Sequence, residues 1–170
     1  RGRELMTAPV GTDAFTTMQS KEAEDKHKRI LGEHLQLKRG VEVRESVEIA
    51  EIASRHRYSL NKKGKSQEWE ADGGWIYSNG ELVGVAECKY QHSRQNACER
   101  AFRYLSVDKF REQPHRILLT CYGKGFQQQS GGGSTGPFID MATNSGMTVF
   151  ENPSDEEFKE GIEEWIRSIL

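Results

Sequence analysis

The chain has 170 residues, a length that suits one domain, and its 35% hydrophobic and 29% charged residues are those of a folded globular protein. A net charge of −2 excludes the strongly basic class of binder that holds nucleic acid by bulk charge alone. No apolar run approaches the roughly 20 residues needed to span a bilayer, and residues 1–11 hold no apolar signal-type centre, so a cytoplasmic protein with no membrane partner is expected. Cys88, Cys98 and Cys121 are scattered without metal-ligand spacing and read as reduced, buried thiols.

Residues 1–20, rich in Gly, Thr and Pro at their start, read as an N-terminal arm, and residues 21–170 as the folded domain. From Lys21 the spacing of Ile30, Leu31, Leu35 and Leu37 predicts a helix that Gly40 ends. A second helix is predicted over residues 42–57, with Val43, Val47, Ile49, Ala50 and Ile52 as its buried stripe, and residues 61–66 form a basic turn. Two strands joined at Asn79-Gly80 follow, the strongest short hairpin signal there is. Next come a helix from about Asn96 to Phe110, a buried-type strand at residues 116–122, a glycine-rich loop at 127–136 and a short strand at 148–150. Ser154 and Glu157 make a capping box for a last helix carrying Phe158, Ile162, Trp165, Ile166 and Leu170. The order implies an α/β domain, a mixed sheet flanked by helices.

The hairpin register carries the chemistry. With Asn79 and Gly80 as the loop, Ser78 faces Glu81, Tyr77 faces Leu82, and the same register puts Asp72 opposite Glu87. Lys89, two residues beyond Glu87, joins that face by strand alternation. Two adjoining carboxylates repel unless a cation relieves them, and with no His or Cys side chain in the group the ion is hard, Mg²⁺ first. The residues that would hold it are Asp72, Glu87 and the backbone carbonyl of Cys88, with Lys89 orienting or deprotonating a water. Gln91 could hold a further water, and Glu48 or Glu51 could lend another carboxylate, although a solvated helix face or an ordinary salt-bridge ladder would use the same residues.

Residues 89–116 hold Lys89, Arg94, Arg100, Arg103, Lys109, Arg111 and Arg116 against Glu99, Asp108 and Glu112, a positive face suited to a polyanion. Within it Asn96, Glu99, Arg100 and Arg103 share one helix face, and Asn and Arg are the side chains that pair bidentately with adenine and guanine. Asp72-Gly73-Gly74, then Ala86-Glu87-Cys88-Lys89, then Asn96-Ala97-Cys98-Glu99-Arg100 resembles, in this order, the motifs of type II restriction endonucleases of the EcoRI/MunI group, within the PD-(D/E)xK nucleases. Ala71 stands where that motif has proline, and Gln95 where the group has glycine. The resemblance covers roughly residues 68–126 and implies a restriction-endonuclease-like fold and a homodimer. It implies Mg²⁺-dependent cleavage of double-stranded DNA at a short palindrome centred on AATT, leaving 5′ overhangs. It further implies DNA contacts from Arg94, Asn96, Ala97, Glu99 and Arg100, to which the shared helix face adds Arg103. A nuclease of repair, phage or mobile-element processing with the same core is the alternative.

Overall fold

A long helix, α1 (Asp13–Gln36), turns at Gly40 into strand β1 (Val41–Glu48) and the single-turn helix α2 (Ile49–Ile52). The hairpin strands β2 (Glu68–Ser78) and β3 (Glu81–Tyr90) follow, then α3 (Asn96–Arg103), α4 (Asp108–Glu112) and β4 (Ile117–Tyr122). Helix α5 (Gly136–Asn144), strand β5 (Thr148–Glu151) and helix α6 (Asp155–Ile169) complete the chain. This computed structural model describes residues 13–52, 63–64, 67–90, 96–122 and 136–170, with side chains except those of 13–20, 89–90, 96–98 and 136–138. All of the expected loop at 127–136 except Gly136, which opens α5, and most of the basic turn at 61–66 lie outside the described residues, as do residues 1–12.

The five strands form one sheet in chain order. β1, β2 and β3 pair antiparallel, whereas β3, β4 and β5 pair parallel. β3 therefore sits between two kinds of pairing, and it is apolar on both faces. One face packs Trp75, Val85, Leu119, Phe110 and Tyr104 together, and the other packs Ile76, Ala86, Leu118 and Cys88 against Leu31 and Leu35 of α1 and Trp165 and Ile166 of α6. The fold is thus α/β, a five-stranded mixed sheet flanked by helices. Among the described residues no helix is long and apolar enough to cross a membrane.

Several sequence expectations are corrected. Residues 41–48 form a strand instead of a helix; Val41, Val43 and Val47 are β-branched and favour the pleated surface, and their spacing is broken by a bulge between Arg44 and Ser46. That irregularity places Val47 on the core face and leaves Val43 exposed. Helix α1 begins at Asp13, ahead of the start expected at Lys21. Leu37 is 83% exposed beyond the end of α1, and Ile169 instead of Leu170 seals the last turn of α6.

Helices α1 and α6 are locked by a buried polar chain. The His27 ring stacks on Phe158 at 4.3 Å, its Nδ1 lies 2.7 Å from the Tyr122 hydroxyl and its Nε2 lies 2.8 Å from Asp155. Asp155 can only accept, so Nε2–H donates to it and the Tyr122 hydroxyl donates to Nδ1 of a neutral imidazole. Burial lowers the His27 pKa, with Asp155 opposing. Asp155 is the first residue of α6, and the Ser154 cap before it accepts from the Glu157 N–H at 3.2 Å while Glu157 accepts from the Ser154 N–H at 3.0 Å. Ser154→Ala removes the cap oxygen from a buried position, so urea unfolding should show a loss of about 1 kcal/mol and the melting temperature should drop about 2–4 °C.

Candidate active site

The hairpin turn is as expected: Asn79 and Gly80 both take positive φ (50° and 83°), and Ser78 faces Glu81 and Tyr77 faces Leu82. The register then slips by one residue. Ile76 pairs with Gly84 and Gly74 with Ala86, leaving Val83 as the extra residue of a bulge. Arg116 fixes that bulge, donating to the Val83 carbonyl at 2.9 Å and to the Ile169 carbonyl of α6 at 2.8 Å. Asp72 is therefore not the register partner of Glu87, as the sequence predicts; the slipped register runs toward Cys88.

What brings Asp72 to Glu87 is the Gly73-Gly74 pair. A Cβ on Gly73 would lie 2.7 Å from the Ala86 Cβ and 2.8 Å from its carbonyl oxygen, so only glycine lets the two backbones close this far. Gly74 has φ of 102°, which bends β2 out of regular pleating just before Asp72 in space. Pairing of β2 with β3 stops at Gly74–Ala86, whereas β3 continues beside β4 to Tyr90–Tyr122. Among the described residues, the edge of β3 from Glu87 onward thus has no strand beside it on the β2 side. The carboxylates meet at this fork.

Glu87 is only 1% exposed, and one of its oxygens, Oε2, has no hydrogen-bond partner among the described residues. Its other oxygen accepts from the Tyr104 hydroxyl at 2.5 Å. Tyr104 in turn stacks on Trp69 (5.2 Å) and meets Trp75 edge-on (5.2 Å), so the carboxylate rests on an aromatic bed. Burial pushes the Glu87 pKa up to about 7; Tyr104 opposes, the adjoining Asp72 carboxyl adds to the rise, and Arg100 opposes it. The Tyr104 hydroxyl is pushed well above the usual phenol range by burial and by Glu87. Arg100 reaches Asp72 at 3.5 Å while remaining 47% exposed.

A second approach comes from α1. Glu24, only 4% exposed, accepts from Lys28 at 2.9 Å, one helical turn on. Burial alone would lower the Lys28 ammonium pKa, but Glu24, and beyond it Asp72 and Cys88, hold it above the usual lysine range. This pair reads in the sequence as an ordinary i, i+4 salt bridge on a solvated helix, and only the burial of Glu24 distinguishes it. Tyr104 reads equally well as plain core. Neither residue carries a signal in a single sequence that would have marked it.

The other expected site residues are distributed as follows. Lys89 holds its place in β3, its backbone paired with Cys121, and its side chain lies outside the described residues. Cys88 pairs with Thr120, and burial pushes its thiol pKa up to about 12, consistent with an inert core thiol. Asn96 and Ala97 open α3 as expected, with side chains outside the described residues; Gln91 and Arg94 lie outside them entirely. Glu99 and Arg103 are exposed on α3. Arg100 is exposed on α3 as well, with its guanidinium 3.5 Å from Asp72, four residues before Tyr104, which meets Glu87. Glu48 and Glu51 do not join the site. Glu48 pairs in register with Glu68, and Glu51 binds Arg44 at 3.2 Å beside Tyr77. The basic face is also thinner than its composition, since Lys109 binds Glu81, Arg111 binds Asp108 and Arg116 is held inside the fold.

Among the described residues no three His, Cys, Asp or Glu side chains converge as a ready-made metal cage. The donors at the fork are two carboxylates, one with an unsatisfied buried oxygen. All are hard oxygens, and Mg²⁺ commonly takes one or two carboxylates and fills its remaining positions with water and substrate phosphate. The residues present fit that ion better than they fit Zn²⁺ or a fully caged Ca²⁺. No family model, no curated protein and no solved structure matches this chain.

The raised pKa of Glu87 makes a signed prediction. The folded value lies above the unfolded one, so this group favours folding in acid, and that contribution is lost as pH rises through about 7. Glu87→Gln is neutral throughout and should stabilise the chelator-treated protein at pH 8 by on the order of 2–3 kcal/mol, with no gain at pH 4.5. Urea unfolding at both pH values measures this; a variant no more stable than the parent at pH 8 would show that Glu87 is not held in a low-dielectric site.

Proposed function

We propose that this chain is a Mg²⁺-dependent nuclease of the PD-(D/E)xK type that cleaves double-stranded DNA. The observation that carries the reading is the Asp72–Glu87 pair at the fork of β2 and β3, with Oε2 of a buried Glu87 lacking a hydrogen-bond donor among the described residues. A buried carboxylate beside a second one is costly to keep ionised, and a site that binds a hard cation is the arrangement in which that cost has a use. The strand and helix positions of the Asp72-Gly73-Gly74, Ala86-Glu87-Cys88-Lys89 and Asn96-to-Arg100 motifs support the resemblance stated above.

In this reading Asp72, Glu87 and the Cys88 carbonyl would hold the ion, which would neutralise phosphate charge and make a bound water more acidic. Tyr104 holds Glu87 in one orientation by donating to Oε1, and the aromatic bed of Trp69 and Trp75 excludes water from beneath it. Lys89, two residues along β3, is assigned to the attacking water or to the charge that builds on the phosphate. Asn96, Ala97 and Glu99 are assigned to the bases and Arg94 and Arg103 to outer bases or phosphates. From the same resemblance we infer a type II restriction enzyme acting as a homodimer on a palindrome centred on AATT, a two-fold site matching a two-fold protein.

Plasmid incubated with the protein and Mg²⁺ should give discrete fragments whose sequenced ends share one 5′ overhang. A smear or nicks would favour repair, phage or mobile-element processing by the same chemistry. Glu87→Ala and Asp72→Asn should each abolish cutting, and full activity in either removes the proposed centre. Asn96→Ala should weaken binding to the cognate duplex by about 1–3 kcal/mol while sparing random duplex.

A further inference from the structure

The half-exposed end of Arg100 lies against Asp72. Its guanidinium is 3.5 Å from the Asp72 carboxylate and its field reaches Glu87, four residues before the tyrosine that hydrogen-bonds Glu87. Ala101 and Tyr104 are buried in the core beneath, so the backbone that carries Arg100 is anchored while the arginine tip is half in solvent. Lys28, whose charge also reaches Asp72, is engaged with Glu24 on α1.

Resting on the metal site proposed above, we infer that Arg100 is the resident counter-ion of the Asp72–Glu87 pair and that a divalent cation binds by displacing it. A guanidinium and a divalent ion cannot both lie against Asp72 without repelling each other. Arginine cannot relieve this by losing its proton, so it must move. Its tip is half exposed, and rotation of the side chain into solvent costs little. Displacement would turn the positive charge outward, toward a polyanion, only in the cation-loaded protein. By linkage, a polyanion that holds Arg100 in the outward position would tighten cation binding by the same factor.

Mn²⁺ binding to the DNA-free protein, followed by calorimetry, tests this directly. Arg100→Gln should bind Mn²⁺ about fivefold more tightly than the parent, the scale of a half-exposed ion pair. Arg100→Lys should stay near the parent, and Arg111→Ala, which removes a like charge elsewhere on the surface, should not change the affinity. Equal Mn²⁺ affinity in Arg100→Gln and the parent overturns the counter-ion role while leaving the metal site intact. Absence of Mn²⁺ binding in the parent, or binding that survives Asp72→Asn undiminished, overturns the metal site itself. The unaltered protein offers a measurement independent of any folding defect: the Arg100 Nε–H resonance should shift as Mg²⁺ is added, and an unmoved resonance at saturating Mg²⁺ overturns the displacement.

Discussion

A carboxylate cut off from water must be protonated, paired or ligated, and Glu87 places that demand at the centre of this fold. Its position follows from β3 being the strand shared by the antiparallel and parallel halves of the sheet, buried on both faces. Val85, Ala86 and Cys88 satisfy that environment with apolar side chains, and Glu87 violates it. The surroundings answer with one hydroxyl from Tyr104, one neighbouring carboxyl from Asp72 and one guanidinium at the rim. None of these fully satisfies Glu87, and Oε2 remains without a donor among the described residues. A group retained in such a state costs stability, which is the usual trade at sites shaped for chemistry.

The glycines convert this local conflict into a site. Gly73 allows β2 to approach Ala86 closely, and Gly74 then turns the strand aside, so that pairing ends one step before the carboxylates meet. The bulge at Val83 sets where along β3 this happens, and Arg116 clamps the bulge to the end of α6. A residue counted from composition as part of a DNA-facing surface is therefore structural. The same holds for Lys109, which binds Glu81 and the Leu82 carbonyl next to the hairpin turn. Cations near a candidate site are not automatically available to a substrate.

What could be read from residues 68–104 was considerable, because the turn, both strands and the following helix are contiguous and each carries local signals. Asn79-Gly80 marks the turn by its need for positive φ, and alternation around it brings Asp72 and Glu87 to the same region. The exact partners were not legible: a bulge changes register by one residue without any mark in the strand's hydrophobic pattern. Residues 41–48 failed for a related reason. Val43 and Val47 lie four apart as in a helix, and nothing local shows that a bulge lies between them. The polar chain from His27 to Asp155 and Tyr122, and the approach of Glu24 and Lys28, join segments distant in sequence, and pattern reading does not reach such contacts.

The two sides of the fork are unequal in a way that bears on mechanism. On the α3 side, Arg100 and Tyr104 come from neighbouring turns of the segment that follows β3, so a shift of that segment acts on both carboxylates together. On the α1 side, the Glu24–Lys28 pair is internally compensated and fastened through α1 to Tyr122 and α6 by the His27 chain. The buried packing of α1 on the sheet makes that side the stiff one, whereas Arg100 is a long, half-exposed side chain able to change its partner. Electrostatic adjustment at the fork therefore falls to the α3 side. A site built from one rigid wall and one mobile charge can keep its carboxylate geometry while exchanging the cation that neutralises it, and the neutralising charge it releases emerges on the helix proposed to meet the substrate.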